Sequence, residues 1–195
     1  AKDNIRVQIG HTLGSYEEGK AALENGASGF THLFNAMNGL HHREPGMVGA
    51  ALAHGDYAEL IPDLLHVHVG AIKTALRAIP HLYCVTDSTS AAGMPDGNYK
   101  LGSHTVTKCM GGVRLADGTL AGSALTMDLA LRNLVSIGLT IEDASNRLSR
   151  FPAQYLGLED RGTLCEGAFA DIVVLDKNLQ LTDVYLEGEV YVAHV

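Results

Sequence analysis

Phe30-Thr31-His32-Leu33-Phe34-Asn35-Ala36-Met37, with Leu40-His41-His42-Arg43-Glu44-Pro45-Gly46 close behind it, decides how this chain is read. A short apolar run delivers one imidazole, and an amide, two further imidazoles and a guanidinium follow within one loop. Imidazole suits zinc and similar divalent ions, and a guanidinium offers carboxylate or phosphate a planar fork of donors. A loop carrying both points to a small, anionic, hydrolysable ligand.

Working outward, residues 5–9 read as a strand ending in Gly10-His11, and residues 30–34 as a second strand leading through His32. Between them Ser15 and Glu18 have capping-box spacing, which predicts a helix to about Glu24 that stops at Asn25-Gly26. A brief helix over 47–53, a strand over 57–61, a helix over 70–78 and a strand over 82–86 follow, the last delivering Asp87. Strands alternating with helices indicate a parallel sheet with crossover helices. Chemistry gathered at the carboxyl ends of strands is the placement expected of a (β/α)8 barrel.

From residue 98 to 119 the pattern changes. Residues 99–101 and 104–107 flank Gly102-Ser103 as a hairpin with a two-residue turn, and Asp117-Gly118 marks a second turn. Gly122-Ser123 is expected to open a helix whose apolar stripe is Leu125, Leu129, Leu131, Leu134 and Val135. Helices over 141–148 and 152–156 come next, then strand-like runs over 170–176, 181–186 and 190–192. Three short strands make a poor independent domain, so they are assigned to a small β-sandwich whose other strands lie elsewhere. The fold class is α/β: part of a (β/α)8 TIM-like barrel over 1–158, with a β-hairpin insertion near 98–119, then sandwich strands over 159–195.

Bulk properties narrow the function. The 195 residues are 46% hydrophobic and 18% charged, ordinary for a globular protein. A formal charge of −8 argues against nucleic acid as a partner. Cys84, Cys109 and Cys165 are odd in number and widely spaced, which fits reduced thiols and a cytoplasmic location. No apolar run reaches the ~18 residues of a membrane span, and residues 1–4 lack signal-peptide architecture.

Gly10-His11, the blocks 31–37 and 40–46, Leu65-His66-Val67, Val85-Thr86-Asp87 and Leu120-Ala121-Gly122-Ser123 occur in this order. Together they resemble the N-acetylglucosamine-6-phosphate deacetylases of the amidohydrolase superfamily. Residues 162–176 are similar to the superfamily's closing sandwich segment. The chains of that family are longer, and this one resembles their carboxyl-terminal half. A complete barrel takes ~250 residues, so the resemblance implies that early strands and a metal-binding glutamate lie outside these residues.

The resemblance implies His11 and His32 as metal ligands; by spacing alone both could be ordinary strand-end histidines. The ion expected is zinc, with iron or nickel as alternatives, in a site incomplete within this chain. Asp87 is the implied acid/base, against the alternative that it caps a helix over Ser88-Thr89-Ser90. His66 is the implied oxyanion donor. In an extended segment His68 would share its face and make a rival metal pair, but a polar loop residue is the preferred reading.

Arg43, with Asn35 and the backbone at Ala36, is the implied phosphate grip; His41 and His42 would help it or reach a neighbouring subunit. The plainer reading of Arg43 is a solvated loop. Ala121, Gly122 and Ser123 are expected to bring backbone close to the sugar, the alternative being a plain helix N-terminus. The implied reaction is hydrolysis of N-acetylglucosamine 6-phosphate to glucosamine 6-phosphate and acetate, in a homodimer. The galactosamine epimer or a related amide, a non-catalytic incomplete domain, and a sugar-phosphate-sensing module stand as alternatives.

Overall fold

Ser15 starts the first helix as its spacing predicts. Its hydroxyl accepts from Glu18 N, and the Glu18 carboxylate accepts from Ser15 N at 2.7 Å, so the start of α1 (Tyr16–Glu24) is satisfied reciprocally. Asn25 and Gly26, the latter at φ 104°, end it. The structure, a computed structural model, describes residues 5–191; residues 1–4 and the end of the expected 190–192 strand lie outside the described residues.

β1 (Gln8–Ile9) and β2 (Gly29–Phe30) flank α1 and pair in parallel, Gln8 opposite Gly29 and Ile9 opposite Phe30. The same unit repeats as α2 (Gly46–His54), β3 (Tyr57–Leu60), α3 (Val69–Ala78) and β4 (His81–Cys84), with β3 and β4 parallel from Tyr57–His81 to Leu60–Cys84. Leu33 N donates to Glu59 O at 2.8 Å, which sets the chain leaving β2 alongside β3. Phe30, Leu60, Leu82 and Cys84 from the strands meet Ala51, Ile72, Ala75, Leu131 and Leu134 in one buried core. Burial pushes the Cys84 thiol up to about 12, so it stays protonated and serves as packing.

Two expected strands are shorter than the sequence suggests. The first is regular only from Gln8, and the second ends at Phe30 rather than Phe34. His32, Phe34 and Ala36 sit at φ 26°, 80° and 53°, a left-handed conformation through which no strand continues. The segment 64–68 is not extended either; it bends, and His68 caps α3 by accepting from Gly70 N at 3.1 Å. His66 and His68 therefore form no shared extended face.

The insertion is larger than the expected hairpin. β5 (Gly97–Leu101), β6 (His104–Cys109), β7 (Gly112–Arg114) and β8 (Leu120–Ser123) form an antiparallel sheet in that order, with its own core of Ala91, Val106 and Val113. The turns at Gly102-Ser103 and Asp117-Gly118 are where the sequence puts them, with Gly102 at φ 57° and Gly118 at φ 88°. Gly122 and Ser123 close β8 rather than open a helix, a correction to the sequence reading. α4 runs over Met127–Ser136 and buries Ala130, Leu131 and Leu134, while Leu129, expected in the stripe, is 39% exposed.

α5 (Ile141–Ser145), a π-helical segment (Asn146–Arg150) and α6 (Phe151–Leu156) run on without a break where two helices were expected. The π segment carries the buried Arg147, whose guanidinium donates to Leu82 O at 2.9 Å and pairs with Asp143. β9 (Ile172–Leu175), β10 (Leu181–Leu186) and β11 (Glu189–Val190) close the chain as an antiparallel sheet. Leu175 packs on the main core and Arg132 donates to Leu179 O at 3.1 Å, tying this sheet to α4. The architecture is mixed α/β, and among the described residues no helix is long and apolar enough to cross a membrane.

Candidate active site

Each parallel strand ends in a residue with chemistry. His11 follows β1 and His32 follows β2, and their Nε2 atoms lie 2.9 Å apart with the rings edge to face, centroids 4.7 Å apart. His11 is at φ 46° and His32 at φ 26°. Left-handed backbone at non-glycine residues costs roughly 1–3 kcal/mol each and gathers at functional sites. His32 is buried, and its Nδ1 has no hydrogen-bond partner among the described residues.

Two converging imidazole nitrogens suit a divalent ion, and their approach is the observation that favours one here. A catalytic zinc takes about three protein ligands plus water. Among the described residues no group of three or more His, Cys, Asp or Glu side chains is placed to hold a metal ion. The pair fits two positions of such a site.

Beneath His32 lies a polar layer that the sequence reading missed. Glu59 accepts at Oε2 from His32 N at 3.3 Å and at Oε1 from Gln8 Nε2 at 2.9 Å and the Tyr83 hydroxyl at 3.1 Å. Thr31 donates to Gln8 Oε1 at 3.2 Å. Burial, then the charge and hydrogen bond of Glu59, push the Tyr83 phenol far up, so it remains a donor. Gln8, Glu59 and Tyr83 come from β1, β3 and β4, and Thr31 and His32 lie just past β2, so only the side-by-side placement of the strands brings them together.

Asp87 lies three residues beyond β4, at φ 49° and exposed. Its carbonyl accepts from Ser123 N at 2.7 Å, and the Ser123 hydroxyl donates to Thr86 O, so the end of β8 is stitched to the loop leaving β4. No helix follows Asp87, which removes the capping alternative. Gly122, at φ 67°, is packed so closely that a Cβ there would stand 3.0 Å from Asp87 O. The structure thus sets the backbone of Gly122 and Ser123 against Asp87, a contact the sequence reading did not contain. No hydrogen bond joins Asp87 to either imidazole of the His11–His32 pair among the described residues; what they share is the carboxyl-terminal edge of the strands.

His66 follows β3, and Asp63 is its partner, with Nδ1 to Oδ2 at 2.6 Å. Asp63 Oδ1 accepts from Leu65 N and His66 N, each at 2.9 Å. Burial raises the Asp63 carboxyl, but the hydrogen bonds from the His66 ring and the two backbone groups outweigh it and hold the group below its ordinary value. Asp63 was not singled out from the sequence; an acid three residues before a candidate imidazole was the available signal.

The expected phosphate grip is only partly assembled. Asn35 turns its amide inward, donating to His32 O at 3.2 Å and Leu33 O at 3.3 Å, so it shapes the loop. Ala36 is exposed at φ 53°. Arg43 is exposed too, with its guanidinium 2.7 Å from His42 Nε2 and its backbone N–H donating to His41 Nδ1 at 3.4 Å. It lines a cleft of about 560 Å³ with Tyr16, Asn38, His41 and Glu44, apart from the His11–His32 pair.

The amidohydrolase family matches residues 1–192. The chain is 41% identical to an N-acetylgalactosamine-6-phosphate deacetylase of Escherichia coli O157:H7 over 96% of its length and 51% of the relative's. It is 40% identical to an N-acetylglucosamine-6-phosphate deacetylase of Lysinibacillus sphaericus over 98% of its length and 51% of the relative's. The crystal structure of N-acetylglucosamine-6-phosphate deacetylase from Thermotoga maritima superposes with a TM-score of 0.91 at 38% identity, covering 97% of this chain and 53% of that one. The chain spans about half the length of the curated relatives it matches.

Proposed function

Because this chain belongs to the amidohydrolase family, we propose that it supplies the carboxyl-terminal half of the active site of an amino-sugar-phosphate deacetylase. The substrate is N-acetylglucosamine 6-phosphate, and the products are glucosamine 6-phosphate and acetate. On this reading residues 1–158 are the later βα units of a (β/α)8 barrel, and residues 159–195 belong to a β-sandwich completed by other strands. The observation that carries it is the 2.9 Å approach of His11 and His32 at the strand ends that also present Asp87 and His66.

His11 and His32 would hold the divalent ion, zinc by preference, with the remaining ligand supplied from outside this chain. When bound, the ion supplies Lewis acidity to the attacking water and the acetamide carbonyl. Asp87 accepts the proton of that water as its oxygen bonds to the carbonyl carbon. As the C–N bond breaks, the same carboxyl returns the proton to the departing amine nitrogen. Arg43, exposed beside His41 and His42, grips the phosphate of the substrate, in its own subunit or a neighbour's, while the Ala121-Gly122-Ser123 backbone lies against the sugar.

Replacing Asp87 by Asn in the complete enzyme tests the assignment. Turnover should fall by about 10²- to 10⁴-fold, the worth of a positioned acid/base, with binding of the sugar phosphate retained. Turnover at the wild-type level refutes the role of Asp87. A second substrate, N-acetylgalactosamine 6-phosphate, is favoured by the 41% identical relative that carries that name. Side-by-side kcat/KM for the two epimers decides between them.

A further inference from the structure

His66 and Asp63 are both nearly enclosed, their side chains 6% exposed. Asp63 Oδ1 is occupied by the N–H groups of Leu65 and His66, which leaves Oδ2 facing His66 Nδ1 at 2.6 Å. An ionised carboxylate only accepts hydrogen bonds, so the ring nitrogen that faces it carries a proton. In a neutral imidazole the other nitrogen is then a lone pair. That nitrogen, Nε2, forms no hydrogen bond among the described residues and is not one of the fully enclosed atoms without a hydrogen-bond partner, which are His32 Nδ1 and Arg147 Nε, so it is the one left open to a ligand.

We propose that Asp63 is a positioning residue that holds neutral His66 in its Nδ1–H tautomer, so that His66 meets the amino sugar through Nε2 as a hydrogen-bond acceptor. A sugar hydroxyl is the donor that fits. The acetamide oxygen is itself an acceptor and cannot pair with a lone pair, so the oxyanion role implied by resemblance is closed to the neutral ring. The identity of the sugar rests on the deacetylase reading; the tautomer does not.

Asp63→Asn separates the two. Its amide oxygen must stay on the Leu65 and His66 N–H groups, because an amide nitrogen there would face two donors. The amide nitrogen then points at His66 Nδ1 and moves the ring proton to Nε2. Proton–nitrogen correlation spectra of the complete protein labelled at histidine, taken near about pH 9 where imidazole is neutral, should show Nδ1–H in the wild type and Nε2–H in Asp63→Asn. Kinetically, KM for N-acetylglucosamine 6-phosphate should rise about 3- to 10-fold, the worth of one neutral hydrogen bond, with kcat within about two-fold. An Nε2–H tautomer in the wild type, which needs no variant to observe, overturns the proposal. So does a collapse of kcat at unchanged KM, or no change in either. Absence of wild-type turnover on both epimers would instead remove the deacetylase reading and leave the tautomer assignment standing.

Discussion

His11 and His32 are 21 residues apart in the chain, yet their Nε2 atoms stand 2.9 Å from each other. The contact exists because β1 and β2 pair in parallel with Ile9 opposite Phe30, so that the second residue beyond each strand lands at the same height. Left-handed backbone at both positions then turns the two rings inward. Helix α1 supplies the crossover that makes this register reachable.

Removing either ring should abolish divalent-ion retention. For His11→Ala and His32→Ala in the complete protein, affinity measured against a competing chelator is expected to fall by at least about 100-fold, the upper end for loss of an outer-sphere partner alone. Wild-type affinity in both variants would reduce the pair to packing.

Arg43→Ala should raise KM for the phosphorylated sugar by about 10- to 100-fold, the worth of a charge-assisted hydrogen bond. KM for the unphosphorylated sugar should stay within about two-fold. Equal loss on both sugars would argue against a phosphate contact. Arg43→Lys should recover only part of the effect, since an ammonium lacks the planar fork.

Gly122→Ala should destabilise the protein by roughly 1–3 kcal/mol. The new Cβ would stand 2.6 Å from Thr89 Cγ2 and 3.0 Å from Asp87 O, at a φ of 67° that favours glycine. Thermal unfolding should register the loss, and turnover should fall with it, because relief of the clash moves the backbone that presents Asp87. An unchanged melting temperature would show that the end of β8 yields freely.

Asp63 makes stability depend on acid in a definite direction. Its carboxyl lies lower in the folded protein than its ordinary value of 3.8, because the hydrogen bonds from His66 and Leu65 outweigh burial. Its contribution is therefore complete above the ordinary carboxylate value and is lost as pH falls through the depressed one. Urea midpoints followed from about pH 6 to about pH 2 should decline less steeply for Asp63→Asn than for the wild type. Parallel curves would mean that the pair carries no linked proton.

Much of the fold is legible from short stretches. The capping box of Ser15 and Glu18, the stop at Asn25-Gly26 and the two-residue turn at Gly102-Ser103 all formed as read. The tail strand over residues 181–186 is β10 to the residue. The failures have physical causes. Phe30 to Phe34 looks like one apolar strand, but Leu33 is drawn to Glu59 O and the backbone turns left-handed on both sides of it. Gly122-Ser123 resembles a helix start because small residues suit one; pairing with β7 and with the Asp87 loop claims them instead.

The sequence by itself determined the alternation of elements, their caps and turns, and which residues bear imidazole, carboxylate and guanidinium. Each of those properties depends on residues only a few positions apart. Tertiary structure alone decided that His11 meets His32 and that Gly122 rests on Asp87. It also decided that Glu59, Gln8 and Tyr83 share one polar layer beneath His32. These contacts follow from strand register and from left-handed residues just past the strands, and neither is encoded in any local spacing.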